Sequence, residues 1–124
     1  MREKTIADKM YLKSAKSLAV FNGAVHPAIV EQLPRDLLDA GESSAEVVLV
    51  FALSQAELAA FLPDALARLG DKGSLWIAYL KQSAPKATDL TRENIDATLK
   101  EHGATSVALI SVDADWSGLR FKVL

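Results

Sequence analysis

The sequence predicts a single α/β domain of three layers, built on a mostly parallel sheet with an antiparallel strand at the C-terminus. Three observations carry this. Two nearly unbroken apolar runs, AEVVLVFAL (45–53) and SLWIAYL (74–80), flank a stretch with helical periodicity, as expected for buried parallel strands joined by a crossover helix. The closing segments TSVALISVD and LRFKVL are separated only by ADWSG, which is short enough for a hairpin-like reversal. The chain has 124 residues, half of them hydrophobic, against the ~100–200 residues of a typical domain. One core, spanning 1–124, is therefore expected.

Each element has its own warrant. KTIADKMYL (4–12) makes a short amphipathic helix, so residues 1–14 are read as a helical segment packed on or beside the domain. SLAVFNG is a first buried strand closed by Asn22-Gly23. Pro27 suits the first turn of the helix HPAIVEQL, because its missing N–H would have no helical partner there. Pro34 ends that helix, and DLLDAG reads as a short second strand stopped by Gly41. After the valine-rich run, Ser54 and Glu57 form an S-x-x-E capping box. Leu58, Phe61, Leu62, Ala65, Leu66 and Leu69 then make one apolar stripe. Pro63 predicts a kink or a restart within this helix. Gly70 and Gly73 bracket an expected tight turn. Thr91 is an N-cap for RENIDATLKEH, which faces Ile95 and Leu99 inward and stops at Gly103. In the last strand Leu119, Phe121 and Val123 alternate with Arg120 and Lys122, so one face is expected to be wet.

Composition removes several function classes. The net charge is −2, so no global basic field draws the protein to nucleic acid or anionic lipid. Residues 1–16 do carry a local +3, from Arg2, Lys4, Lys9, Lys13 and Lys16 against Glu3 and Asp8. Such a run ordinarily forms a solvated helix face. There are no cysteines, which excludes disulfides, thiol nucleophiles and thiolate zinc sites. No apolar run approaches the ~20 residues of a membrane span, and the N-terminus lacks the apolar core of a signal peptide. A cytoplasmic, bacterial-type protein is expected.

The stretch AEVVLVFALSQAELAAFLPDALARLGDKGSLWIAYLK resembles the middle of a class I S-adenosylmethionine-dependent methyltransferase, with Lys72-Gly73 where that family carries paired glycines. The terminal helix and antiparallel pair match the same Rossmann-like fold. The chain is still more similar to a family of short bacterial proteins of unassigned function with a truncated methyltransferase-like core. KMYLK, VFNGA, LWIAYLKQS, ATDLT and DWSGLRF carry that second resemblance. It implies a fold and no activity, since one fold hosts many functions.

The methyltransferase resemblance directs attention to FNGAVHP (21–27), the turn after the first strand. Active members place an acidic residue and two or three glycines around this turn, so that the backbone can approach the methyl donor closely. Here Gly23 stands alone, Val25 is branched, Pro27 lacks an N–H, and SLAVFN contains no carboxylate. Asp39, after the second strand, stands where the family holds the donor's ribose, and equally reads as an ordinary turn residue. The resemblance thus makes Asn22, Gly23 and Asp39 the cofactor-contacting positions. The expectation is a vestigial turn with no cofactor, S-adenosylmethionine being the alternative. His26 reads as a proton carrier, as a helix cap, or as an exposed rim residue. His102 complements a helix C-terminus. No spacing of metal ligands, nucleophile elbow or P-loop is present.

Ligands in open α/β sheets sit beyond the carboxyl ends of the strands. That edge should gather Asn22, Gly23, Asp39, Ser54, Lys81 and Ser83. Trp116 and Ser117 begin the reversed last strand and return to the same edge, and Thr88 with Asp89 folds over it. A small anionic or polar ligand fits this set, with Lys81 supplying charge and Trp116 a wall. Each residue also has an ordinary reading as a loop, cap or packing residue. Three functions follow from different classes. The first is a non-catalytic module binding a small ligand or a protein. The second is a reduced methyltransferase or other small-molecule enzyme, and the third a regulator contacting nucleic acid through residues 1–16.

Overall fold

The computed structural model describes residues 17–33, 45–81 and 89–123. The expected N-terminal helical segment with its basic run, the strand at 36–41 with Asp39, and Ser83 and Thr88 lie outside these residues. Five strands form one sheet: β1 (Leu18–Phe21), β2 (Ala45–Phe51), β3 (Leu69–Leu80), β4 (Ala104–Ser111) and β5 (Trp116–Val123). Their order is β1-β2-β3-β5-β4. The pairs β1·β2 and β2·β3 are parallel, whereas β5 runs antiparallel to both β3 and β4. Three α-helices, α1 (Pro27–Val30), α2 (Gln55–Arg68) and α3 (Arg92–Glu101), and a 3-10 turn (Gly23–Val25) complete the described part.

Alternation along the central strands divides the core between two faces. Val48, Val50, Leu75, Ile77, Leu119 and Phe121 point toward α2 and α3, where they meet Leu58, Leu62, Ala65, Ile95 and Leu99. Leu18, Leu49, Phe51, Trp76, Ala78 and Trp116 point the other way, toward Ile29 of α1 and Leu33. The predicted leucine stripe is therefore the face of α2 that packs on the sheet. Full burial of each leucine contributes roughly 1.5–3 kcal/mol relative to exposure.

The helix starts follow local chemistry. Ser54 Oγ accepts the Glu57 N–H at 3.1 Å, which caps α2. Thr91 caps α3, and Asn94 completes the reciprocal bond to the Thr91 N–H at 2.9 Å. Gly103, at φ 78°, turns the chain out of α3 in a conformation that costs glycine nothing. The His102 ring Nδ1 meets the Thr98 carbonyl at 3.0 Å in the last turn of the helix.

Four local expectations change. The helix after His26 is a single turn, ending at Val30. Pro63 lies inside one continuous helix from Gln55 to Arg68. Both Pro63 and Ala59, whose carbonyl loses its partner, lie on the exposed side, where water can replace the missing donor. Gly70 and Gly73 do not make a tight turn. β3 runs through them and carries extra residues between the pairs Ala45↔Leu69 and Val47↔Ser74. A side chain at Gly73 would meet the Glu46 carbonyl oxygen at 2.9 Å, so this bulge requires glycine. Finally, Val123 is 42% exposed although Leu119 and Phe121 are buried as expected. Among the described residues, no helix is long and apolar enough to cross a membrane.

Candidate functional site

The topology brings the carboxyl ends of β1, β2, β3 and β4 to one edge, together with the beginning of β5. The turn after β1 is anchored there by Asn22. This residue adopts a left-handed backbone (φ 60°), which asparagine tolerates better than most residues. Its Nδ2 donates to the Phe51 carbonyl at 3.0 Å and to Glu57 Oε1 at 3.1 Å. The same Glu57 oxygen accepts the Leu53 N–H at 2.9 Å. Glu57 thus reaches past the cap position that an S-x-x-E box would assign to it and ties β1, β2 and α2 into one knot. The Gly23 side of the turn is packed: a Cβ there would meet Val30 Cγ2 at 3.0 Å and Val20 Cγ1 at 3.1 Å.

A second knot joins the beginning of the described chain to its end. His26 Nε2 lies 2.7 Å from Asp113 Oδ2, with side chains 16% and 34% exposed. The other carboxylate oxygen, Oδ1, accepts the N–H groups of Asp115 at 2.9 Å and Trp116 at 2.8 Å. Asp113 is therefore held by its own turn and presents Oδ2 to the imidazole. The His26 ring lies 5.2 Å from the Trp116 ring and 6.1 Å from the Phe51 ring, centroid to centroid. Burial raises the Asp113 pKa, but the bonds from His26 and the two backbone N–H groups outweigh that and hold it below the usual carboxylate value.

Lys81 follows β3 at the same edge. Its backbone N–H donates to the Asp115 carbonyl at 2.7 Å, and its Nζ donates to Ser111 Oγ at 2.8 Å. The Ser111 hydroxyl in turn donates to the Asp113 carbonyl at 3.1 Å. The Lys81 backbone is thus beside Asp115, and Leu80 pairs directly with Trp116 across the sheet, which puts the Trp116 ring with Leu80 in the α1-side core. Ser117 pairs with Tyr79 across the sheet. Burial drives the Tyr79 pKa up, which the charge of Arg92 opposes and that of Glu93 reinforces.

Asp89 occupies a different place. Its Oδ1 accepts the Gln55 N–H at 3.0 Å, and its carbonyl accepts from Gln55 Nε2 at 3.2 Å and Asn94 Nδ2 at 2.6 Å. It joins the starts of α2 and α3. The structure thus brings the backbones of Lys81, Trp116 and Ser117 to one edge, places Asn22 and Gly23 in the neighbouring knot, and uses Asp89 as a brace between helices. No group of three His, Cys, Asp or Glu residues among the described residues is arranged to hold a metal ion.

Sequence reasoning missed Asp113 and assigned Glu57 only a cap. The D-A-D-W spacing of an Asx turn was a usable signal for Asp113. Its partner stands 87 residues away, beyond the reach of any local pattern.

With this geometry in hand, comparison with known proteins places the fold. The family DUF3052, described as a protein of unknown function, matches residues 21–123. No curated protein matches the chain. Ribosomal protein L11 methylase from Lactobacillus delbrueckii subsp. bulgaricus superposes with a TM-score of 0.60 at 12% identity, over 93% of this chain and 73% of that one. The N,N-8-amino-8-demethyl-D-riboflavin dimethyltransferase RosA from Streptomyces davawensis gives 0.61 at 11% identity. That match covers 94% of this chain, which spans about half of RosA (53%). DhpI, solved with SAH, gives 0.54 at 7% identity, over 93% of this chain and 81% of that one. At such identities the likeness is one of fold, that of the class I methyltransferases.

Proposed function

We propose that this chain, which belongs to the DUF3052 family of proteins of unknown function, is a binding module. On this reading it keeps the methyltransferase fold without a methyl-donor site. It takes a small anionic or polar ligand, free or displayed on a partner protein, at the carboxyl edge of the sheet. The observation that carries this reading is the packing of the β1 turn. A donor held at such a turn needs an open glycine surface and free backbone N–H groups. Here Val20 and Val30 close over Gly23. The N–H groups of Val25 and His26 are spent on the carbonyls of Asn22 and Gly23. Glu57, the carboxylate beside the turn, is committed to Asn22 and Leu53.

The ligand reading rests on Lys81. Its ammonium has three donors, one of which goes to Ser111, leaving two, among the described residues, for an anion. Attraction at contact is about 1 kcal/mol in water, so other contacts at the edge have to supply the rest. Calorimetry at millimolar S-adenosylmethionine should show no saturable heat. A thermal-shift screen of anionic metabolites should return a ligand whose binding is abolished by Lys81→Ala with the melting point of the free protein unchanged. A micromolar isotherm with S-adenosylmethionine would restore the reduced methyltransferase, and a ligand indifferent to Lys81 would move the site elsewhere.

A further inference from the structure

At the end of the sheet opposite the carboxyl edge, β3 and β5 separate. Their ladder reaches only to Leu75↔Phe121, and the β3 residues before it follow β2 through the bulge, where Leu69 pairs with Ala45. Lys122 and Val123 therefore pair on their other side alone, with Thr105 and Ala104 of β4. The separation leaves an open cleft of about 600 Å³, whose walls include Leu69, Ser74, Val107, Arg120, Lys122 and Val123. Small-molecule sites span roughly 300–1,000 Å³. A second bulge borders the cleft. Val107 is the extra residue of β4 between the pairs Ser106↔Phe121 and Ala108↔Arg120.

Arg120 and Lys122 lie two residues apart and so share one face of β5. Arg120 is partly buried, and its Nε and Nη2 donate to Ser74 Oγ at 3.2 and 3.0 Å. Ser74 is neutral, so it fixes the guanidinium without cancelling its charge. Of the five N–H donors of an arginine, two go to Ser74. The others, two on Nη1 and one on Nη2, have no acceptor among the described residues. Neither Arg120 nor Lys122 forms an ion pair with a described residue, and no described acidic side chain lines the cleft. Apolar surface lies beside this charge: Val107 is 51% exposed and Val123 42%. A partly buried cation without a counter-charge, next to uncovered valines, is complementary to a molecule that is anionic at one end and apolar at the other.

We propose that this cleft binds a small molecule with an apolar body and a carboxylate head. The outer end of the Arg120 guanidinium, Nη1 with the remaining hydrogen of Nη2, is a planar fork that matches the two oxygens of a carboxylate. Lys122 adds charge at the exposed rim, and Leu69, Val107 and Val123 take the body. The two bulges build the site, one by opening the β3·β5 ladder and the other by setting Val107 on the cleft wall. Bulges re-aim side chains in this way beside binding sites. The cleft lies at the opposite end of the sheet from Lys81 and stands whether or not the carboxyl edge binds an anion.

Calorimetry on the full chain with hexanoate should give a saturable isotherm. Acetate, which lacks the body, and hexanol, which lacks the charge, should each bind about tenfold more weakly or worse. Arg120→Gln should weaken hexanoate about tenfold, as for loss of a hydrogen bond to a charged group. Lys122→Gln should weaken it roughly threefold, as for an exposed charge. Lys81→Ala should leave hexanoate binding unchanged, which separates this site from the carboxyl edge. Heat that never saturates overturns the proposal, as does equal binding of hexanol. A saturable isotherm that a folded Arg120→Gln leaves unchanged, or that Lys81→Ala abolishes, overturns it too. Should Arg120→Gln fail to fold, Val107→Asp decides, because position 107 is exposed and the added carboxylate repels the head. Hexanoate affinity equal to the parent's in that variant overturns the site.

Discussion

The two faces of the sheet are closed by different means. On one, α2 and α3, of 14 and 10 residues, lay continuous apolar stripes across Val48, Val50, Ile77 and Leu119. On the other, a four-residue helix meets Phe51, Trp76 and Trp116, and the gap it leaves is bounded by a hairpin clasped through His26 and Asp113. The first face is assembled from periodic local elements. The second depends on individual side chains from distant parts of the chain, and it is there that a void of about 10 Å³ and an unmet donor, the Trp76 indole N–H, occur. Regular helices fill space uniformly. One turn plus a clasp does not.

Paired truncations test that contrast most severely. Leu62→Ala should cost about 2–5 kcal/mol, as for a large-to-small change in a packed core, because Leu62 is fully buried under α2. Leu66, half-buried at the margin, should cost less. Ile29→Ala on the other face should fall at or below the low end, ~2 kcal/mol, since it enlarges an existing void under a helix that can settle. Equal losses for Leu62 and Ile29 in urea denaturation would erase the distinction between the faces.

The clasp comes next. Asp113→Asn should cost about 1–2 kcal/mol at neutral pH through loss of charge-assisted bonds. The pH dependence follows from the depressed Asp113 pKa. A carboxylate stabilised in the fold contributes fully above its unfolded value of about 4 and loses that contribution as pH falls through the lower folded value. The gap between parent and variant should therefore be widest near neutrality and close in acid. Parallel stability curves down to pH 2 would show that the carboxylate's charge does nothing for the clasp.

How much of this was legible can be read from the same residues. The stripe on α2 was, because Leu58, Leu62 and Ala65 recur with the helical period and Ser54 announces the start. The central strands were legible through unbroken valine and leucine. The aromatic face was not. Nothing adjacent to His26 signals Asp113, and Asn22 gives no hint that Glu57 will cross 35 positions to hold it. Pairings of this kind are set by sheet order, which periodicity does not encode. The candidate site was accordingly legible as an edge, through strand ends and the reversal at Trp116, while the partners that organise it were hidden.

Two smaller effects refine the contrast. Ser54→Ala should cost about 1 kcal/mol, the worth of one N-cap, which helix-region amide exchange should confine to the start of α2. Trp76→Phe should be nearly neutral, within ~1 kcal/mol. Removing an unmet buried donor offsets much of the lost packing area. A loss as large as that of Leu62→Ala would mean that the indole N–H is satisfied in solution.

The strand order also sets a timetable for synthesis. β5 is the last described strand to leave the ribosome, yet it lies between β3 and β4. Until it emerges, β4 has no neighbour among the described strands and β3 has an open side, while Val107 and Leu109, exposed even in the finished fold, ride on an unpaired strand. Assembly of the described sheet must therefore wait until Trp116–Val123 has been made, and partly made chains present adhesive edges in the meantime. A ribosome stalled within Trp116–Val123 would release a molecule missing the joint between its two halves, rather than one trimmed at its rim.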